Sequence, residues 1–150
     1  MTEPFATRLR RGDTLLGTIV TLAAPEVPEL LSAAGLDWLF IDCEHAPLDF
    51  LAAQALLQAA RVPCVVRVPD GHEATLKKAL DIGAAGVVIP MVNSGQQARG
   101  IVSFCKYPPL GTRGVGIVRA QSYGLSFQDY VAHANESTAV IVQVEHISAT

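Results

Sequence analysis

The chain has 150 residues, 50% of them hydrophobic, and a net charge of −3, so a single domain over residues 1–150 with a sizeable core is expected. The mild acidity provides no basic stripe for a phosphate backbone, which argues against nucleic acid as a partner. No apolar run reaches membrane-spanning length, and the segment with Glu3, Arg8, Arg10 and Arg11 has no apolar signal core, so a cytoplasmic protein with no membrane partner is expected.

Strand-like and helix-like segments alternate along the chain. Residues 15–20 form the first apolar run. Residues 25–34 follow as a helix, with Pro25 suited to its first turn and Gly35 to its end. Residues 36–41 (LDWLFI) read as a buried strand, and the Ala/Leu/Gln-rich stretch 51–60 as a helix. The β-branched run 63–68 is a third strand, 73–82 a helix stopped by Gly83, and 86–90 a fourth strand. Residues 96–105 are helical, and the Pro/Gly-rich stretch 107–116 is a loop. An extra helix is expected at 127–134 and a fifth strand at 139–144. Strands this uniformly apolar are covered on both faces, as parallel strands are. Short connections and right-handed crossovers leave two architectures, an open doubly wound sheet and a (βα)8 barrel.

The polar residues fall at strand ends. The second strand runs into Asp42, Glu44 and His45, the third carries Arg67, and the fifth carries Gln143 and runs into Glu145 and His146. Either architecture gathers these ends on one rim, where ligands of α/β folds bind. Each residue has a plainer reading as well: Asp42 as the cap of the next turn, His45 as a surface loop histidine. Arg67 inside PCVVRVP is harder to dismiss, because a buried charge is costly unless it is paired or binds something. A carboxylate, a histidine and an arginine on one rim suit chemistry on a carboxylate substrate. No lysine ends a strand, which argues against a Schiff-base mechanism. Cys43, Cys64 and Cys105 are odd in number and lack a CxxC pair, so buried reduced thiols are expected. The glycines of GTRGVG do not follow a strand and do not match dinucleotide spacing. The loop is therefore read as flexible; Arg113 within it could reach a substrate carboxylate, with a solvated loop arginine as the favoured reading.

Several of these segments together resemble the HpcH/HpaI aldolase/citrate lyase family. They are GLDWLFIDCEHAP (35–47), VVRVP (65–69), LDIG (80–83), VVIPMV (87–92), YPPLGTRGVG (107–116) and VQVE (142–145), in the family's order. The resemblance implies an α/β fold, the first five βα units of a (βα)8 TIM barrel of the phosphoenolpyruvate/pyruvate-binding type. It implies a class II, metal-dependent aldolase that reversibly cleaves hydroxy-2-oxo acids to pyruvate and an aldehyde through a pyruvate enolate. The residues that match carry implied roles. His45 resembles the general base, Asp81 the carboxylate that orients it, and Arg67 the group that binds substrate and stabilises the enolate. Gln143 resembles a second substrate-binding residue and Glu145 a ligand of a divalent metal, Mg²⁺ or Mn²⁺ with Co²⁺ as a further option. Asp42 and Glu44 match positions that support the others. Small-molecule substrates and a homo-oligomer are the implied partners.

A complete barrel takes about 250 residues, so the chain is expected to be a C-terminally truncated barrel lacking the family's second metal carboxylate. Two other readings stand beside the aldolase: a citrate or malyl-CoA lyase-like enzyme, and a non-catalytic barrel fragment.

Overall fold

The structure, a computed structural model, describes residues 3–149. Its elements run α1 (Phe5–Arg11), β1 (Gly17–Val20), α2 (Glu26–Ala33), β2 (Trp38–Asp42), α3 (Phe50–Ala59), β3 (Cys64–Arg67), α4 (Glu73–Asp81), β4 (Gly86–Ile89), α5 (Gly95–Cys105), α6 (Phe127–Ser137) and β5 (Ala139–Val142). Short 3-10 segments occupy Arg119–Gly124 and Ile147–Ala149.

All five strands are parallel and lie side by side in chain order, β1-β2-β3-β4-β5. That order decides between the two architectures. A doubly wound sheet reverses direction part-way and places helices on both faces. An unreversed order with right-handed crossovers lays the connecting helices on one face only and curls the sheet toward a barrel.

The side-chain alternation follows from this. Leu39, Ile41, Cys64, Val66, Val87 and Ile89 point outward and pack with Leu56, Leu76, Leu80 and Ile101 of the helices. Trp38, Phe40, Val65, Val88 and Ile141 point inward and form a second cluster with Phe5 and Ala6 of α1. The inward register runs Phe40↔Val65↔Gly86↔Ala139 in one layer and Asp42↔Arg67↔Val88↔Ile141 in the next. Gly86 is required in its layer, because a Cβ there would lie 2.6 Å from both the Cβ and the carbonyl oxygen of Ala139.

Helix α1 was not expected from the sequence. Its buried Phe5 and Ala6 close the N-terminal mouth of the curled sheet, with the Phe5 ring 5.3 Å from that of Trp38. Gly12, at φ 84°, ends the helix in the left-handed conformation. Arg8 pins α1 to the sheet through Asp37 at 2.9 Å. The remaining helices start on polar caps where side chains serve. Asp49 accepts the Ala52 N–H at 2.8 Å, and Ser94 accepts the Gln97 N–H at 3.1 Å.

Among the described residues no helix is long and apolar enough to cross a membrane. The three cysteines are free and buried, as the sequence implied.

Candidate active site

Parallel strands carry their C-terminal ends to a common rim, and the inward alternation aims Asp42 and Arg67 into it as register partners. The Asp42 carboxylate accepts four hydrogen bonds. Arg67 donates Nε at 2.9 Å and Nη2 at 2.8 Å, and the backbone N–H groups of Glu44 and His45 donate at 3.1 and 3.3 Å. Asp42 therefore both caps the turn after β2 and clamps the arginine. The bidentate Arg67 hydrogen bonds hold the Asp42 carboxyl below the usual carboxylate range, against the opposing effect of burial, and the two backbone donors add to this.

Arg67 is held on further sides. Glu44 Oε2 lies 3.2 Å from its Nε, and the Phe40 ring sits 5.2 Å from the guanidinium carbon. The Asp42 hydrogen bonds raise its pKa, burial opposes this, and the charges of Asp42, Glu44 and Glu145 reinforce the rise. Its Nη1 forms no hydrogen bond within the described residues. The Glu44 carboxylate also reaches toward His45 Nε2, at 3.6 Å. The His45 side chain is 73% exposed at the rim.

The β4 and β5 ends build the neighbouring part of the rim. Met91 adopts φ 53°, unusual for a residue with a Cβ, and its N–H donates to Glu145 Oε2 at 2.8 Å. Gln143 extends the ladder past β5, donating its N–H to Ile89 at 2.8 Å and accepting from Val92 at 3.1 Å. Its side-chain Oε1 is buried without a hydrogen-bond partner, as is Asn93 Oδ1 in the loop after β4. The sequence reading passed over Asn93 and the Met91 amide. Nothing in the residue types marks a backbone donor, and Asn in a post-strand loop is ordinary turn chemistry. Cys43 adjoins the rim, and burial pushes its thiol up to about 11, so it offers no thiolate near neutral pH. Among the described residues no group of three or more His, Cys, Asp or Glu side chains is arranged to hold a metal ion.

Asp81 lies elsewhere. It is the last residue of α4, which returns the chain to the N-terminal ends of the strands, whereas His45 follows the C-terminal end of β2. A four- or five-residue strand at about 3.3 Å per residue keeps the two ends roughly 13 Å or more apart. Asp81 instead accepts from Arg113 Nη2 at 2.8 Å. The reading of Arg113 as a solvated loop arginine is overturned: its side chain is fully buried. Backbone contacts fold the loop inward there, because Gly111 packs directly on the Ser103 and Lys106 carbonyls and the Arg113 N–H donates to Lys106 at 2.9 Å. Asp81 also lines a groove of about 440 Å³ beside Phe50, Gln54, Lys78, Ile117 and Tyr123.

The HpcH/HpaI aldolase/citrate lyase profile matches residues 16–149. The chain belongs to that family. It is 42% identical to a 2-keto-3-deoxy-L-rhamnonate aldolase of Salmonella gallinarum, covering 97% of this chain and 56% of the relative. A 4-hydroxy-2-oxovalerate aldolase of Novosphingobium aromaticivorans is 41% identical over the same shares. Among solved structures, an HpcH/HpaI aldolase/citrate lyase family protein from Burkholderia cenocepacia superposes with a TM-score of 0.88 at 38% identity, over 95% of this chain and 60% of that one. The chain thus spans about half the length of the curated relatives it matches. The α/β, TIM-barrel-type fold expected from the sequence is that of its structural neighbours.

Proposed function

We propose that this chain supplies the enolate-forming part of an aldolase site that cleaves a hydroxy-2-oxo acid to pyruvate and an aldehyde, and runs the reverse addition. The observation that carries the reading is the clamped Arg67. Asp42, Glu44 and Phe40 fix its guanidinium, and Nη1 has no hydrogen-bond partner among the described residues. A rigid cation with a free donor suits an oxygen that gains negative charge during reaction. The relatives named for 2-keto-3-deoxy-L-rhamnonate and 4-hydroxy-2-oxovalerate act on acids of this class, which supports the choice of substrate.

In the cleavage direction a base removes the hydroxyl proton of the substrate. The carbon–carbon bond then breaks, the hydroxyl carbon becomes the aldehyde carbonyl, and the bonding electrons form the enolate of pyruvate. A proton returns to the enolate carbon to give the methyl group. His45 is the proposed base, and the exposure of its side chain beside the Arg67 cluster supports that role. Arg67 Nη1 donates to the enolate oxygen. Gln143 positions the substrate.

Glu145 and the unpartnered Gln143 Oε1 are hard oxygen donors and fit part of the shell that Mg²⁺, Mn²⁺ or Co²⁺ takes, with other positions left to substrate and water. Such an ion, when bound, supplies Lewis acidity at the oxygens of the oxo acid.

The pairing of His45 with Asp81 is proposed between copies of the protein, because the two lie at opposite ends of the strands in one chain. The groove beside Asp81, with its exposed Ile117 and Tyr123, would receive the His45 rim of a neighbour. This gives the homo-oligomer a catalytic purpose.

The test is pyruvate release from 4-hydroxy-2-oxo acids of varied length by the intact protein, with and without chelator. Release that chelation abolishes and Mg²⁺ or Mn²⁺ restores is the expected outcome. A folded protein that releases no pyruvate from any acid in the panel would sink the reading.

A further inference from the structure

Arg113 is buried at unusual expense. Its side chain is fully excluded from solvent, with the guanidinium carbon 4.6 Å from the Tyr107 ring centroid and 6.0 Å from that of Tyr130. Both Nη atoms lie 3.4 Å from the Tyr130 hydroxyl, and Nη2 donates to Asp81. Burial is the largest influence on its protonation and disfavours the charge; Tyr130, Asp81 and Tyr107 together outweigh it. Arg113 Nε is nonetheless buried without a hydrogen-bond partner among the described residues.

Stability does not explain such a cluster. A buried ion pair is often no better than well-packed apolar side chains of the same volume, and unpaired buried polar atoms make it worse. What the cluster achieves is the placement of one carboxylate. Asp81 gives a single oxygen, Oδ1, to Arg113, and its side chain remains 18% exposed where it lines the groove with Phe50, Gln54 and Tyr123. The cage is anchored in turn. The Tyr107 backbone exchanges two hydrogen bonds with the Asn135 side chain, at 2.7 and 3.0 Å, and Lys106 Nζ donates to the Asn135 and Thr138 carbonyls.

We infer that Arg113 is a positioning residue, which holds the Asp81 carboxylate fixed in the groove so that it accepts the imidazole N–H of His45 from a second copy. The inference rests on the cross-copy site proposed above. The forked guanidinium gripped between two tyrosine rings sets where the carboxylate lies, which a flexible ammonium on a four-carbon stem would not.

Subunit mixing tests this. Purified His45→Ala and Asp81→Asn variants of the intact protein, each with little pyruvate release alone, are allowed to exchange copies. Recovery to about a quarter of wild-type is expected, since one in four pairings of a donated histidine with a donated aspartate is intact. Arg113→Met is expected to lower kcat by about 10- to 100-fold with KM unchanged, as the loss of a supporting group does. It should group with Asp81→Asn, regaining activity with His45→Ala and staying inactive with Asp81→Asn. Arg113→Lys should retain part of the activity, and it takes the same two partners if the methionine variant does not fold.

A purely structural role would lower thermal stability without this pattern. Recovery with Asp81→Asn, or none with His45→Ala, overturns the role of Arg113 and leaves the cross-copy site standing. No recovery in the reference pair, His45→Ala with Asp81→Asn, overturns the cross-copy site and this inference with it.

Discussion

Replacing Asp42 with Asn tests the clamp on Arg67 with almost no change of shape. The amide oxygen can still accept the Glu44 and His45 N–H groups, so the turn after β2 should survive. What is lost is the negative charge facing a guanidinium whose side chain is only 16% exposed. Hydrogen bonds to charged groups contribute about 1.5–3 kcal/mol each, and breaking a fully buried pair costs about 3–5. Arg67 keeps Glu44 at 3.2 Å and is not fully buried, which places the loss at about 2–3 kcal/mol. For a chain of this size that lowers Tm by about 4–12 °C.

The pH dependence has a definite sign. The Asp42 carboxyl titrates lower in the folded protein than in the unfolded chain, chiefly through Arg67. Its contribution is therefore complete above the unfolded value of about 3.9 and fades as pH falls through the folded one. Thermal denaturation of both proteins from pH 7 to pH 2.5 should show a gap in Tm that is constant near neutrality and closes in acid. An equal Tm at pH 7, or a gap that persists undiminished at pH 2.5, would refute the reasoning.

Other perturbations probe separate parts of the account. Gly111→Ala would drive a Cβ into the Ser103 and Lys106 carbonyls and should destabilise by about 1–3 kcal/mol, read as a fall in Tm; an unchanged Tm would contradict the packed loop. Burial pushes Cys43 and Cys105 up to about 11 and Cys64 to about 12. A thiol reagent at pH 8 should therefore label the native protein slowly and all three cysteines rapidly in denaturant, whereas rapid native labelling would show an accessible thiolate.

Much of the fold was legible because its signals are local. Uniform apolar strands, glycines closing helices, and polar residues at strand ends located all five strands and the rim. The segment pattern left barrel and open sheet both open, since the choice lies in the pairing order rather than in any one segment, and the family resemblance supplied the barrel. Helix α1 escaped notice because its seven residues bury only Phe5 and Ala6 beside three arginines. Arg113 was misread because its burial depends on Tyr130, 17 residues away, and on Asp81, 32 residues away. The separation of His45 from Asp81 was available in principle: one follows a strand and the other ends a helix, which in a βα repeat means opposite ends. Family resemblance assigned them a shared role, and the topology separates them within one chain, which is why the pairing is proposed between copies.

The central claim is that this rim makes an enolate. Incubating the intact protein with pyruvate and Mn²⁺ or Mg²⁺ in heavy water, and following the methyl proton signal, tests it without any choice of aldehyde. The account predicts metal-dependent loss of that signal, abolished by His45→Ala and lowered about 100-fold or more by Arg67→Ala. Undiminished methyl protons with the folded wild-type protein, or exchange that survives His45→Ala, would contradict it.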